Sequence, residues 1–288
     1  DKLPKWLGIY LTTRPENPIV ASLSKFHPTT LEPEDQNNMK DIRIYFTDLI
    51  HKIAGENASK DELLSKGVDM LVEKSKGLFI YASLAAEKLK NLIGKGKVLN
   101  LETLENFPEG LNEFYETQMY RIASDEKGNF DNTSLEWIAV EFVTAAREPL
   151  HVDSVQKLLK CARKVVNTIL ARLSVFFPIR DHRLHVYHKS INDWLTEKGR
   201  EGSDMFVDVK EINKKLATSC MEVLKTFQQK KMEDDDGEEE EITFLKYALT
   251  HGVSHLVEAK RKKDAKTLIL DVDWLMARAS DGVRLIND

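Results

Sequence analysis

At 288 residues with 42% apolar side chains, the chain is long enough for about two domains with real cores, and its 42 basic and 47 acidic residues leave a net charge of -5. That balance argues against a dedicated nucleic-acid binder, and the two distant cysteines, Cys161 and Cys220, suggest neither a disulfide framework nor a zinc site. No run approaches the ~18 apolar residues of a membrane span and no signal-peptide pattern opens the chain, so a reducing, cytoplasmic setting without membrane partners is expected.

The first stretch with a pattern is Trp6 to Leu11, a short apolar run rich in β-formers, which predicts a parallel strand buried on both faces. One strand cannot make a sheet, and no similar run follows until about residue 175. The expectation is therefore that the chain opens on the last strand of an α/β core whose earlier part is left out. Thr12, Thr13, Arg14, Pro15 and Glu16 come off its carboxyl end, where ligands bind in open α/β sheets. Arg14 suits phosphate oxygens there because its planar fork donates twice, although an arginine at a strand end also caps neighbouring helices.

Pro18, Pro28 and Pro33 punctuate a polar passage to Asp35. Met39, Ile42, Phe46, Leu49, Ile50 and Ile53 then recur at helical spacing up to Gly55. Ser59 with Glu62 reads as a capping box opening a helix with Leu63, Leu64, Val68, Leu71 and Val72 on its buried stripe, ended by Gly77. Leu78 to Ile93 reads as a third helix, with Ala82, Ala85 and Ala86 permitting close packing.

Further helices are predicted over Leu111 to Ile122, over Leu135 to Ala146, briefly after a cap formed by Asp153 with Gln156, and over Ala162 to Leu173. Val175 to Ile179 and Leu184 to Tyr187 flank Arg180-Asp181-His182-Arg183 as a hairpin. Helices ending in a hairpin predict a winged helix. After Gly199 and Gly202 come three more helical patterns, Val209 to Phe227, Phe244 to Ala259 and Ala265 to Ala279. The acidic run Glu233 to Glu241 reads as a solvated loop.

From Lys157 to Lys189 eight basic residues stand against one acid, Asp181. A DNA-binding winged helix would use Arg163, Arg172 and Arg180 in such a patch, yet the helix at 162–173 is mostly apolar and carries few residues that read base edges. His182, His185 and His188 are spaced by three, which in a strand sends neighbours to opposite sides rather than onto one metal. Ser190 lies near His188 and Asp193 without a nucleophile elbow. No Gly-x4-Gly-Lys-Ser/Thr occurs, so this chain cannot by itself hydrolyse a nucleotide through a P-loop.

Several of these segments together resemble the C-terminal part of the NTPase module in the NACHT branch of signalling P-loop ATPases. Thr12-Thr13-Arg14-Pro15 is similar to the Thr-Ser-Arg-Pro end of that family's sensor strand, with Thr13 for Ser. Asp41-Ile42-Arg43-Ile44-Tyr45-Phe46 and Lys76-Gly77-Leu78-Phe79-Ile80-Tyr81-Ala82 resemble the helices that follow; Phe79 stands where related ATPases place a proline against adenine, and reads more simply as a core-packing residue. Phe107-Pro108-Glu109-Gly110-Leu111, continuing to Tyr115, resembles the opening of the family's winged helix. His188-Lys189-Ser190-Ile191-Asn192-Asp193-Trp194-Leu195 is similar to its closing His-Lys-Ser-Phe-x-Asp-Phe-Leu, with Ile191 and Trp194 at the two aromatic positions. Phe206-Val207-Asp208 through Cys220, and then Tyr247 to Leu256 and Asp273-Trp274-Leu275, look like the helical linker that precedes WD or similar repeats.

The resemblance implies a mainly α fold with a small β component, divided as a core strand at 1–24, a helical lid at 25–106, a winged helix at 107–200 and a helical linker at 201–288. It implies an ADP/ATP-controlled switch, with magnesium in the intact protein, that governs homo-oligomerisation. In it Arg14 senses the γ-phosphate and His188 holds the β-phosphate of ADP; a histidine capping the helix at Ser190 is the plainer alternative. Its implied partners are an upstream P-loop core, which would make the parent a slow ATPase, and a downstream repeat domain. A nucleotide-independent helical scaffold is the competing expectation.

Overall fold

The computed structural model describes residues 4, 6–13, 17–54, 60–233 and 239–280. Helix makes up 65% and strand 3%, so the cores form by packing helix faces on one another. No helix among the described residues is long and apolar enough to cross a membrane. The chain divides into two compact units, Asp1–Phe107 and Pro108–Asp288.

The strand expected over Trp6 to Leu11 is not formed. Residues 7–13 carry no regular structure, and Trp6, Ile9, Tyr10 and Leu11 are exposed. β-formers become a strand only where a neighbour takes up their N–H and C=O groups. None of the described strands pairs with this stretch, and the Leu7 N–H donates to the Pro4 carbonyl at 2.9 Å instead.

In the first unit, α1 (Asn17–Leu23) runs into a single 3-10 turn. α2 (Gln36–Ile53) starts where the Asp35 carboxylate accepts from Asn37 N–H at 2.8 Å and Asn38 N–H at 3.4 Å, satisfying donors that a helix start leaves unpaired. Of the expected stripe Ile42, Phe46, Leu49 and Ile50 are buried, while Met39 and Ile53 near its two ends are half-buried. The next helix begins as α3 (Lys60–Glu62), passes through a π-helical stretch, Leu63–Gly67, and continues as α4 (Val68–Ser75). Ser59, the expected cap, lies outside the described residues.

The helix stops at Ser75, where Lys76 turns left-handed with φ of 49°; Gly77 follows at +72°, a position that only glycine fills because a Cβ there would stand 1.9 Å from the Pro33 carbonyl oxygen. α5 (Phe79–Gly94) follows, burying Tyr81, Ala82, Ala85, Ala86 and Leu89 against α2 and α4. Phe79 is not a core residue: at the first position of α5 it is 45% exposed, edge-to-face with Tyr45 at 6.4 Å. A short α6 (Leu101–Glu105), unforeseen from the sequence, is capped by the Asn100 side chain.

The second unit runs α7 (Gly110–Ile122), α8 (Leu135–Ala145), β1 (Leu150–His151), α9 (Val152–Leu159), α10 (Arg163–Leu173), β2 (Ile179–Arg180), β3 (Arg183–Leu184) and α11 (Lys189–Leu195). The hairpin is shorter than expected because Phe176 and Phe177 leave it for the core, both fully buried. Its turn is Asp181-His182, with φ of 49° and 59°, the left-handed pair that matches the strands' twist. β1 adds a third strand in the antiparallel order β1-β3-β2, with Leu150 opposite Leu184 and His151 opposite Arg183. The cap of α9 is His151, whose Nδ1 accepts from Asp153 N–H at 3.2 Å. Asp153, expected in that role, pairs with Arg163 instead.

α12 (Val209–Glu233) and α13 (Glu239–Glu258) pack along each other and rest on α8 and α9. The acidic run is thus partly helical at both ends, and 234–238 lie outside the described residues. The helix expected from Ala265 to Ala279 is two, α14 (Lys262–Ile269) and α15 (Val272–Ser280). The Asp271 carboxylate accepts from Trp274 N–H at 2.9 Å and starts a new helix there.

Candidate functional site at His188

Of the two residues predicted to meet phosphate, Arg14 lies outside the described residues, and His188 is exposed at the junction of hairpin and helix. The chain reaches it from β3 along two backbone bonds, His185 N–H to the Pro178 carbonyl at 3.0 Å and Tyr187 N–H to the Phe176 carbonyl at 2.8 Å. His188 then caps α11, its Nδ1 accepting from Ser190 N–H at 3.2 Å and lying 2.6 Å from Ser190 Oγ. The capping role that the sequence left as an alternative is therefore present.

Capping also decides the ring's chemistry. A backbone N–H only donates, so Nδ1 presents its lone pair and the neutral imidazole carries its proton on Nε2. His188 is thereby a hydrogen-bond donor through Nε2 at the start of a helix. The Ser190 hydroxyl donates to Nδ1 and in turn accepts from the Tyr115 hydroxyl, 2.7 Å away. The result is a relay of O–H groups from a buried phenol to an exposed imidazole.

Tyr115 is 1% exposed. Burial pushes its hydroxyl up to about 12, reinforced by the nearby charge of Asp193. Its ring stands edge-to-face with Phe176 at 5.4 Å and Trp194 at 5.6 Å, and the Arg200 guanidinium lies 4.0 Å from the Trp194 ring. Trp194 Nε1 and Arg200 Nε are buried donors without a hydrogen-bond acceptor. The sequence named Tyr115, Ser190 and Trp194 as parts of two separate motifs; nothing in their spacing joins Tyr115 to Ser190 across 75 positions.

The basic stretch is less cationic in space than in sequence. Lys160 faces Glu222 at 3.6 Å, Arg172 faces Glu136 at 2.8 Å, Arg183 faces Glu148 at 3.2 Å, and Arg163 pairs with Asp153. Four of its eight cations therefore meet acids contributed from outside the stretch. Among the described residues no group of three or more His, Cys, Asp or Glu could hold a metal ion.

A second polar network escaped the sequence reading altogether. Asn213 Nδ2 donates to the Val209 carbonyl at 2.7 Å, and Asn213 Oδ1 lies 2.6 Å from His255 Nδ1. His255 Nε2 is 2.7 Å from the Tyr247 hydroxyl, which accepts from Arg147 N–H at 3.3 Å. Each group has one consistent role only if His255 is neutral with its proton on Nδ1, and burial duly holds its pKa down at about 4. The chain matches no family model, no curated protein and no solved structure.

Proposed function

We propose that this chain is the regulatory part of an ADP/ATP-dependent signalling switch of the NACHT type, controlling oligomerisation of the protein that carries it. The observation that carries the reading is the exposed His188, locked by Ser190 into the tautomer whose Nε2–H donates. An imidazole N–H at a helix start is a suitable partner for a phosphate oxygen. In this reading His188 meets the β-phosphate of ADP and Arg14 the γ-phosphate of ATP. The P-loop and magnesium ligands belong to an upstream core, and a repeat domain follows downstream.

The architecture proposed with it is a helical lid at 25–106, a winged helix at 107–200 and a helical linker at 201–288. The winged helix is supported by the order α8, β1, α9, α10, β2, β3 and by the β1-β3-β2 sheet. The ion pairs of Arg163, Arg172 and Arg183 weigh against a DNA-binding use of that fold, because cations already neutralised within the protein release fewer counterions from DNA.

The test is ADP release from the intact protein carrying His188→Ala, followed by stopped flow, with assembly followed by sizing. Loss of one hydrogen bond to a charged oxygen predicts release about tenfold faster, and earlier assembly. Unchanged release and assembly would overturn the role of His188 and leave a nucleotide-independent scaffold as the better reading.

A further inference from the structure

The antiparallel pair α12 and α13 carries opposite charge at its two ends. Asn213, near the start of α12, meets His255, near the end of α13, at 2.6 Å, and Arg261, just beyond α13, donates to the Thr218 hydroxyl at 3.1 Å. The junction of the two helices therefore lies at the other end, about 30 Å away along the 20 residues of α13. The sequence places eight acids at that junction, within residues 233–241. Against these and Glu222 stand Lys225, Lys230, Lys231 and Lys246 on the two helices and Lys157 and Lys160 of α9, so the end keeps a net of three negative charges.

The opposite end runs into the corner between α13 and α14, where residues 260–266 hold five cations and one acid. Arg261 pairs with that acid, Asp264, at 2.7 Å, and the preceding Glu258 meets Arg147 at 3.3 Å. The start of α12 beside it is balanced, with Lys210, Lys214 and Lys215 against Asp208, Glu211 and Glu141. Asp271 and Asp273 stand at the start of α15, past the far end of α14, and over the whole of 257–288 basic residues still outnumber acids, seven to six. Lys260, Lys262, Lys263 and Lys266 are all exposed, and none enters an ion pair among the described residues. Lys262 and Lys263 even stand in the first turn of α14, where the helix dipole disfavours cations, so their charge does not serve the stability of this helix.

We propose that the lysine corner at 260–266 binds the acidic run 233–241 of a second copy of this chain, head to tail. A copy's own run is held away from its own corner by the length of α13. Such a contact joins two different surfaces, so it propagates into a ring or a filament. Exposed ion pairs contribute little singly, so the contact needs several acting together and weakens with salt. Neither His188 nor a nucleotide takes part in it, which separates it from the switch reading.

The experiment is sedimentation equilibrium of the full chain. At low ionic strength the mean mass should rise with protein concentration from 33.0 kDa to about twice that or more, and return to 33.0 kDa at about 1 M salt. Lys260→Gln with Lys262→Gln and Lys263→Gln, all at exposed positions, should abolish the rise, as should Asp234→Asn with Asp235→Asn and Asp236→Asn. Mixed together, the two variants retain one intact acidic run and one intact lysine corner, and should pair one to one and stop there. A wild-type chain that stays monomeric at low ionic strength, association that survives salt or either triple change, or a mixture that does not pair would each overturn the proposal. Pelleting of a monomeric chain with phosphatidylserine vesicles would overturn it in favour of a lipid surface.

Discussion

The Nε2 atom of His255 accepts from the hydroxyl of Tyr247 at 2.7 Å, in a part of the second unit where the two side chains are 0% and 3% exposed. This contact, with Asn213 on one side and the Arg147 amide on the other, ties α12 and α13 to the segment that follows α8. Such a network is stabilising only while every member keeps its partner.

Acid should therefore loosen this unit. Unfolded, His255 takes up a proton at its ordinary value of 6.5; folded, it does so only near 4. Protons thus favour the unfolded ensemble as the pH falls through that window, and stability is fully present above it. His251, held below its ordinary value by burial, acts in the same direction. Denaturant unfolding should show a loss approaching about 3 kcal/mol between pH 6.5 and pH 4. His255→Leu should flatten that dependence while costing about 2–4 kcal/mol at neutral pH, because Asn213 and Tyr247 are left without partners.

Gly77→Ala should be among the most damaging single changes in the first unit. The new methyl would meet the Pro33 carbonyl oxygen at 1.9 Å in a left-handed conformation, and the same corner is held by Asn38, whose Nδ2 donates to the Gly77 carbonyl at 2.8 Å. A loss of about 3 kcal/mol or more in urea unfolding is expected. Gly96→Ala, left-handed but with open space around it, should cost only about 1 kcal/mol.

Tyr115→Phe removes one hydroxyl and keeps the ring between Phe176 and Trp194. Stability should fall by about 1 kcal/mol, and Ser190→Ala, which strands the buried phenol, by about 1–3 kcal/mol. In alkaline titration followed by absorbance, the Phe variant should lose a tyrosinate step near pH 12. Because the folded hydroxyl ionises later than the unfolded one, wild-type stability should decline as pH rises from 10 toward 12.

Asp35→Ala should cost about 1 kcal/mol by leaving the amides of Asn37 and Asn38 without their carboxylate acceptor. Asp35→Asn should recover most of it, since an amide oxygen accepts equally well at an N-cap. A thermal melt that fails to separate the two variants would show that the cap does not support α2.

The helices were legible for a local reason. A helix that buries one face marks its sequence every three or four residues, as Ile42, Phe46, Leu49 and Ile50 do. Periodicity failed where an element is too short to have a period. β1 is only Leu150–His151, and its strand character comes entirely from lying beside β3. The Trp6 to Leu11 run fails in the opposite sense, having the composition of a strand without a partner among the described strands.

His188 at the start of its helix could be read from the chain itself, because a cap is set by neighbours two residues away. Its connection through Ser190 to Tyr115, and most of the acids that pair with the basic stretch, could not. Tyr115 and Ser190 are 75 positions apart, and Lys160, Arg172 and Arg183 meet acids 62, 36 and 35 positions away, so only the packing of the helices and the hairpin decided which of them meet. Short-range hydrogen bonding and burial period are written in consecutive residues; charge pairing and polar networks belong to surfaces that exist only once the helices have packed.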